Sequence, residues 1–147
     1  MSNNIKEIIA ARDAVGFATA AGTDMHNRLG RIMIGDEIEC GDVDLIAKIK
    51  ANPQLAKIFC SKSMTEVPVA GIVSNRFISR RIDRLYIDEE TKTVYILDYK
   101  TDVSRDLFHD KYVSQLREYS ILLRQVYPKH TCKCFILWTH DWVLESL

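Results

Sequence analysis

The run Ile96-Leu97-Asp98-Tyr99-Lys100-Thr101-Asp102 ends an apolar, β-prone stretch with a carboxylate and an ammonium two residues apart. Alternate side chains of a strand share a face, so Asp98 and Lys100 point together while Tyr99 points away. An acid that grips a divalent cation and a lysine that steers a water are what metal-assisted phosphodiester hydrolysis needs. Asp-x-Lys is also a common chance pattern at solvated strand ends, so its surroundings decide its meaning. Upstream, Arg81-Ile82-Asp83-Arg84-Leu85 supplies a second acid. A four-residue loop over Glu89 to Lys92 pairs Asp88 with Thr93 and sets Asp83 opposite Asp98, with Cβ atoms about 4.5–5.5 Å apart. A five-residue loop pairs Asp83 with Leu97 and turns it to the wrong face, so a shared cation requires the even loop or a compensating bulge. Two carboxylates so close repel and raise a pKa unless a cation or Lys100 compensates. The alternative is that Asp83 pairs with Arg81 or Arg84 on the surface.

Other side chains have two readings as well. His26 follows Gly22-Thr23-Asp24-Met25 in a helical stretch and is a ligand or an ordinary helix residue. Gln115 and Tyr119, four apart on a helix, share a face; they hold Lys100 or a phosphate, or they are simply amphipathic. Arg76, Arg80, Arg81 and Arg84 cluster ahead of the Asp-Tyr-Lys element, with Arg105 and Lys111 after it, as a phosphate track or a solvated strand face. The chain of 147 residues balances 20 basic against 20 acidic side chains. That balance argues against nucleic-acid binding by bulk charge alone. Cys40, Cys60, Cys132 and Cys134 form no Cys-x-x-Cys pair and read as reduced, mostly buried thiols rather than a zinc or iron–sulfur site.

The elements that must position these groups follow from periodicity. Ile5 to Phe17 has helical apolar spacing, and beyond Gly22 a second helical stretch carries Met25, Leu29, Ile32 and Met33 on one side. Asp42 caps a helix from Val43 to Ala51, and Asn52-Pro53 opens a short one ending near Phe59. Strands are expected within Met64 to Ala70, Phe77 to Ile87 and Thr93 to Tyr99. His109 to Tyr127 is helical, with Tyr112, Leu116, Tyr119, Leu122 and Leu123 on one stripe, and Pro128 ends it. Cys134 to Thr139 reads as a last, buried strand. Residues 1–147 therefore form one α/β domain, a mixed central sheet flanked by helices with a helical N-terminal segment. No apolar run reaches the roughly 18–20 residues of a membrane span. The first residues lack the pattern of a signal peptide, so the expected compartment is cytoplasmic.

In order, Gly22-x-x-x-His26, Glu66-Val67-Pro68-Val69, Ile82-Asp83-Arg84-Leu85, Ile96-Leu97-Asp98-Tyr99-Lys100-Thr101 and Tyr112-x-x-Gln115-Leu116-x-x-Tyr119 resemble the RecB-like nuclease family of the PD-(D/E)xK superfamily. The resemblance is to the C-terminal nuclease domain of AddA- and RecB-type (UvrD/Rep-like) helicase–nucleases in particular. It implies a restriction-endonuclease-like core. His26, Asp83, Asp98 and the Tyr99 carbonyl match ligands of Mg²⁺ or Mn²⁺, a hard donor set that suits either ion. Lys100 matches the lysine that positions the attacking water, Gln115 and Tyr119 the Gln-x-x-x-Tyr motif near that lysine and the DNA, and Glu66 an acidic position near the site. Arg80 is a departure, standing where relatives commonly have glycine.

No Gly-x-x-x-x-Gly-Lys-Ser/Thr occurs in the sequence, so it contains no P-loop motor. The resemblance thus implies an excised C-terminal domain of a longer helicase–nuclease, or a separate small subunit. Its role would be Mg²⁺-dependent exonuclease action on mainly single-stranded DNA fed by a helicase motor during double-strand-break repair and recombination, leaving 5′-phosphates. The alternatives are a catalytically silent DNA-binding module and a stand-alone nuclease of the same superfamily.

Overall fold

The computed structural model describes residues 22–35 and 39–147. The helix expected over Ile5 to Phe17 lies outside them. Helix α1 covers residues 22–30. Met25, Leu29, Ile32 and Met33 do not continue one helix as expected. The chain turns after residue 30, and Met33 instead forms a bridge with Cys40. Two side-chain caps set the next helices. Asp42 accepts from the N–H groups of Asp44 and Leu45 at 3.0 and 3.2 Å and starts α2, Val43–Lys50. Asn52 does the same for Gln54 and Leu55 and starts α3, Pro53–Ile58, with proline in the first turn, where its missing N–H is no loss.

Five strands follow: β1 Met64–Val73, β2 Arg76–Asp88, β3 Thr93–Lys100, β4 Thr131–Trp138 and β5 Val143–Ser146. They lie in that order in one sheet. Every neighbouring pair is antiparallel except β3 and β4. Those two are parallel because α4, Arg105–Val126, crosses between them. β3 is the central strand and is buried along both faces, which explains its unbroken apolar run. β5 is absent from the sequence expectation because Val143-Leu144-Glu145-Ser146 is too short to establish a period.

The sheet is sandwiched between two helical layers. On one face Leu29, Leu45, Ile49, Leu55 and Ile58 of the first three helices pack with Tyr95, Leu97, Tyr99, Phe135 and Leu137. On the other, Leu116, Tyr119 and Leu123 of α4 pack with Ile82, Leu85, Val94, Ile96, Ile136 and Trp138. The four cysteines are free thiols; Cys40 is exposed and the other three half-buried, so the expectation of mostly buried thiols does not hold.

Arg84, grouped by its spacing with the exposed arginines, is instead a core residue, 2% exposed. Its guanidinium donates to the Tyr99 hydroxyl at 2.9 Å, the Ser63 hydroxyl at 2.6 Å and the carbonyls of Leu29 and Ile32 at 2.9 and 3.1 Å, and it lies 3.9 Å from the Phe59 ring centre. The fixed fork thus ties β2 to β3 and to the end of α1, and every acceptor would be stranded without it. Arg84→Ala is expected to destabilise the protein by about 3–5 kcal/mol, through lost charge-assisted hydrogen bonds and a cavity. Urea denaturation checks this; a loss under about 1 kcal/mol would mean that water replaces the fork.

Candidate active site

The β2–β3 hairpin has the even loop. Asp88 pairs with Thr93, and the ladder runs to Arg84 opposite Leu97. One step further it would set Asp83 against Asp98, and there it stops. The β1–β2 ladder breaks at the same point: Thr65 pairs with Arg84 and Val67 with Ile82, while Glu66 and Asp83 between them are unpaired. Glu66 takes a left-handed backbone, φ 52°. Across this break the strand exchanges faces. Even-numbered Ile78 and Ile82 pack on the α4 side before it, and odd-numbered Leu85 and Ile87 do so after it. The irregularity frees the Asp83 carboxylate from the alternation of its strand, as a bulge does. Its Oδ2 accepts the Tyr99 N–H at 2.8 Å, bonding across to the end of β3.

His26 reaches the same oxygen from α1, with Nε2 3.1 Å from Asp83 Oδ2. Its other nitrogen, Nδ1, lies 2.7 Å from the Gly22 carbonyl, to which it donates. That bond fixes the tautomer in which Nε2 of a neutral imidazole carries a lone pair directed at Asp83. Gly22 has a second role, because a Cβ there would stand 3.1 Å from Thr101 Oγ1, one residue past Lys100.

Asp98 sits on the α4 side of β3 and is 3% exposed. The Lys100 ammonium is 2.7 Å from its Oδ2 as an ion pair, yet off the angle of a hydrogen bond, so among the described residues that buried oxygen has no hydrogen-bond partner. Lys100 also donates to Gln115 Oε1 at 3.2 Å and lies 4.2 Å from the centre of the Tyr112 ring. Gln115 Nε2 donates to the Tyr119 hydroxyl at 2.9 Å, which donates to the Arg81 carbonyl at 3.2 Å. The relay settles the amide's orientation, since only its oxygen can accept from an ammonium.

The electrostatics divide the two acids. Burial and the neighbouring Asp83 charge push Asp98 up to about 7, only partly offset by Lys100. Burial also opposes ionisation of Asp83, but the His26 hydrogen bond and charge, with the Tyr99 N–H, outweigh it and hold Asp83 below the usual carboxylate range. The hydrogen bond to Asp83 raises His26 to about 9 against the opposing effect of burial. Without a cation, the site therefore stores positive charge as protons, on His26 and in part on Asp98.

His26, Asp83, Asp98, Tyr99, Lys100, Gln115 and Tyr119 are thus brought together. Glu66 is not: its side chain is exposed and lies 3.7 Å from Arg81 Nη1, although its backbone adjoins Asp83 in the broken ladder. The surface pairing of Asp83 with Arg81 or Arg84 does not occur, as both arginines have other partners. Among the described residues no group of three or more His, Cys, Asp or Glu side chains is already placed to hold a metal ion; His26 and Asp83 are hydrogen-bonded to each other. Tyr112, quoted in the motif ahead of Gln115 but given no role there, has its hydroxyl held by Asp102 and its ring against Lys100 and Trp138. Its position three residues before Gln115 on one helix face was the available signal.

No family model and no curated protein matches this chain. No described helix is long and apolar enough to cross a membrane.

Proposed function

We propose that this chain is a metal-dependent nuclease domain of the PD-(D/E)xK type with a restriction-endonuclease-like core. More particularly, we read it as the RecB-like nuclease module of a helicase–nuclease. The observation that carries this reading is the pair of Asp83, half-buried in β2, and Asp98, buried near the end of β3, with Lys100 2.7 Å from an Asp98 oxygen that has no hydrogen-bond partner among the described residues. Two acids this close repel, and a cation between them would relieve a repulsion that His26 and Lys100 otherwise offset.

The donors fit Mg²⁺ or Mn²⁺. Asp83, Asp98, Nε2 of His26 and the Tyr99 carbonyl would hold the ion; a strand residue's N–H and C=O point to the same side, and the Tyr99 N–H faces Asp83. Bound there, the ion would lower the pKa of a water and offset charge on the scissile phosphate. Lys100 donates a hydrogen bond to the attacking water and is kept in place by Asp98, Gln115 and the Tyr112 ring. Tyr119 and the Arg81 carbonyl anchor Gln115, so the lysine's position is fixed by backbone three hydrogen bonds away. The water oxygen would bond to phosphorus as the P–O3′ bond breaks; the water gives up a proton to solvent and the leaving O3′ takes one up, yielding a 5′-phosphate and a 3′-hydroxyl. A motor, in the same longer chain or a partner subunit, would supply mainly single-stranded DNA, in the setting of double-strand-break repair and recombination.

Incubation of end-labelled single-stranded DNA with Mg²⁺, Mn²⁺ or EDTA tests the proposal. The expected result is shortening of the labelled strand with either metal and none with EDTA. Metal-independent DNA binding with no cleavage under any condition, and no metal uptake by calorimetry, would instead make the chain a silent DNA-binding module.

A further inference from the structure

Resting on the nuclease reading, we propose that the cleft between β2 and the first half of α4 is a second phosphate subsite. There Arg80 and Lys111 would hold a phosphodiester of single-stranded DNA adjoining the scissile one. The cleft encloses about 650 Å³ and is lined by Arg80, Lys100, Lys111, Ser114 and Gln115, among others. That volume is within the range of about 300–1,000 Å³ common to small-ligand sites. Lys100 and Gln115 belong also to the proposed catalytic group, so the cleft opens directly onto it.

The charges single out Arg80 and Lys111. Of the arginines ahead of the Asp-Tyr-Lys element, Arg76 pairs with Glu118, Arg81 with Glu66, and Arg84 is spent on buried acceptors. Arg80 donates only to the adjacent Ser79 carbonyl at 3.1 Å, and neither it nor Lys111 forms an ion pair among the described residues. Of the two acids of the lining, Glu118 faces Arg76, and Asp110 is fully exposed to solvent, 3.8 Å from His109 Nδ1. Two cations of opposing elements thus share a concave surface without carboxylate partners, an arrangement suited to an oligoanion. The face exchange at Glu66 and Asp83 places Arg80 there, because it puts even-numbered residues upstream of the break on the α4 side.

The test measures binding of a fluorescein-labelled oligothymidylate by anisotropy across a KCl series in EDTA, and cleavage kinetics in Mg²⁺. Arg80→Gln and Lys111→Gln are each expected to weaken binding about fivefold and to flatten the slope of log K against log[salt] by about 0.7, the value for one phosphate on a single strand. KM should rise while kcat stays within about twofold, because the groups that touch the reacting phosphate are intact. Lys129→Gln, on the loop after α4, serves as the charge control and should leave the slope unchanged. If wild type cleaves but the two variants behave like the Lys129 control, this subsite is wrong and the nuclease reading stands. If wild type neither cleaves nor binds the oligonucleotide, both fail. Competition by inorganic phosphate at low millimolar concentration would assign the cleft to a free anion and overturn the strand proposal.

Discussion

Asp98→Asn is expected to abolish cleavage and, in the metal-free protein, to make the fold more stable. The two effects have one origin. Ionised Asp98 is buried beside ionised Asp83, and its pKa is raised to about 7. A carboxyl whose folded pKa lies above its unfolded value of about 3.9 costs stability as pH rises between those values. At pH 4 the wild type and the variant should therefore differ little; by pH 8 the variant should lead. Every tenfold change in a protonation equilibrium is worth about 1.4 kcal/mol, and the ammonium of Lys100, left without its acid, takes part of the gain back. A net gain of about 1–3 kcal/mol in urea denaturation with EDTA at pH 8 is the expected figure. Cleavage should fall by about a thousandfold or more, since the asparagine amide holds a cation poorly and metal charge stabilisation is worth several kcal/mol. Lower stability of the variant at pH 8 would show that the acid is not held at a cost for the sake of a cation.

Lys100→Ala separates this account from a general loss of structure. It too should lose cleavage, by about a hundred- to a thousandfold, as a donor aimed at the reacting group disappears. Its stability should move the other way at neutral pH, because Asp98 loses the ammonium 2.7 Å from its carboxylate. Two inactive variants with opposite changes in stability would be hard to explain by a purely structural role for the pair.

Most of this frame was legible in the sequence. Asp42, Asn52-Pro53 and Pro128 punctuate the helices by local chemistry that tertiary structure has no reason to override, and the boundaries they mark fall where expected, although α4 begins at Arg105, four residues ahead of the expected His109. The even loop over Glu89 to Lys92 holds, because the polar run leaves the apolar register of both strands intact. What was not legible is the exchange of faces at Glu66 and Asp83. A period-2 reading assumes that alternation is unbroken, and nothing in Ile82-Asp83-Arg84-Leu85 announces that it switches. The same assumption put Arg84 with the surface arginines, although it fills the space between Tyr99, Phe59 and the end of α1. Burial of an arginine depends on acceptors that converge from distant segments, here the carbonyls of Leu29 and Ile32, and no local pattern encodes them. Asp98 and Lys100 were readable because they are spaced along one strand; the roles of Tyr112 and Asp102 were not, because their contacts form only when α4 folds back over β3.

His26 gives the second large effect, a metal affinity that climbs with pH. In the metal-free protein its pKa is raised to about 9, chiefly by the hydrogen bond to Asp83. A histidine whose folded pKa exceeds its unfolded value of about 6.5 contributes stability that is full below 6.5 and is lost as pH rises through 9. Wild type in EDTA should accordingly lose about 1–3 kcal/mol between about pH 6.5 and 9, and His26→Asn should show no such decline. A cation at Nε2 must displace that proton, so binding competes with it over the same window. Mn²⁺ affinity measured by calorimetry should rise about tenfold from pH 7 to pH 8, with close to one proton released per ion at pH 8, counted from the dependence of the heat on buffer ionisation. His26→Asn should bind Mn²⁺ more weakly and with a flatter pH dependence. Because Nδ1 is already committed to the Gly22 carbonyl, the deprotonated ring has no second tautomer that keeps Nε2 protonated without breaking that bond. Proton release equal in wild type and His26→Asn would place the titrating group elsewhere and remove the histidine from the ligand set.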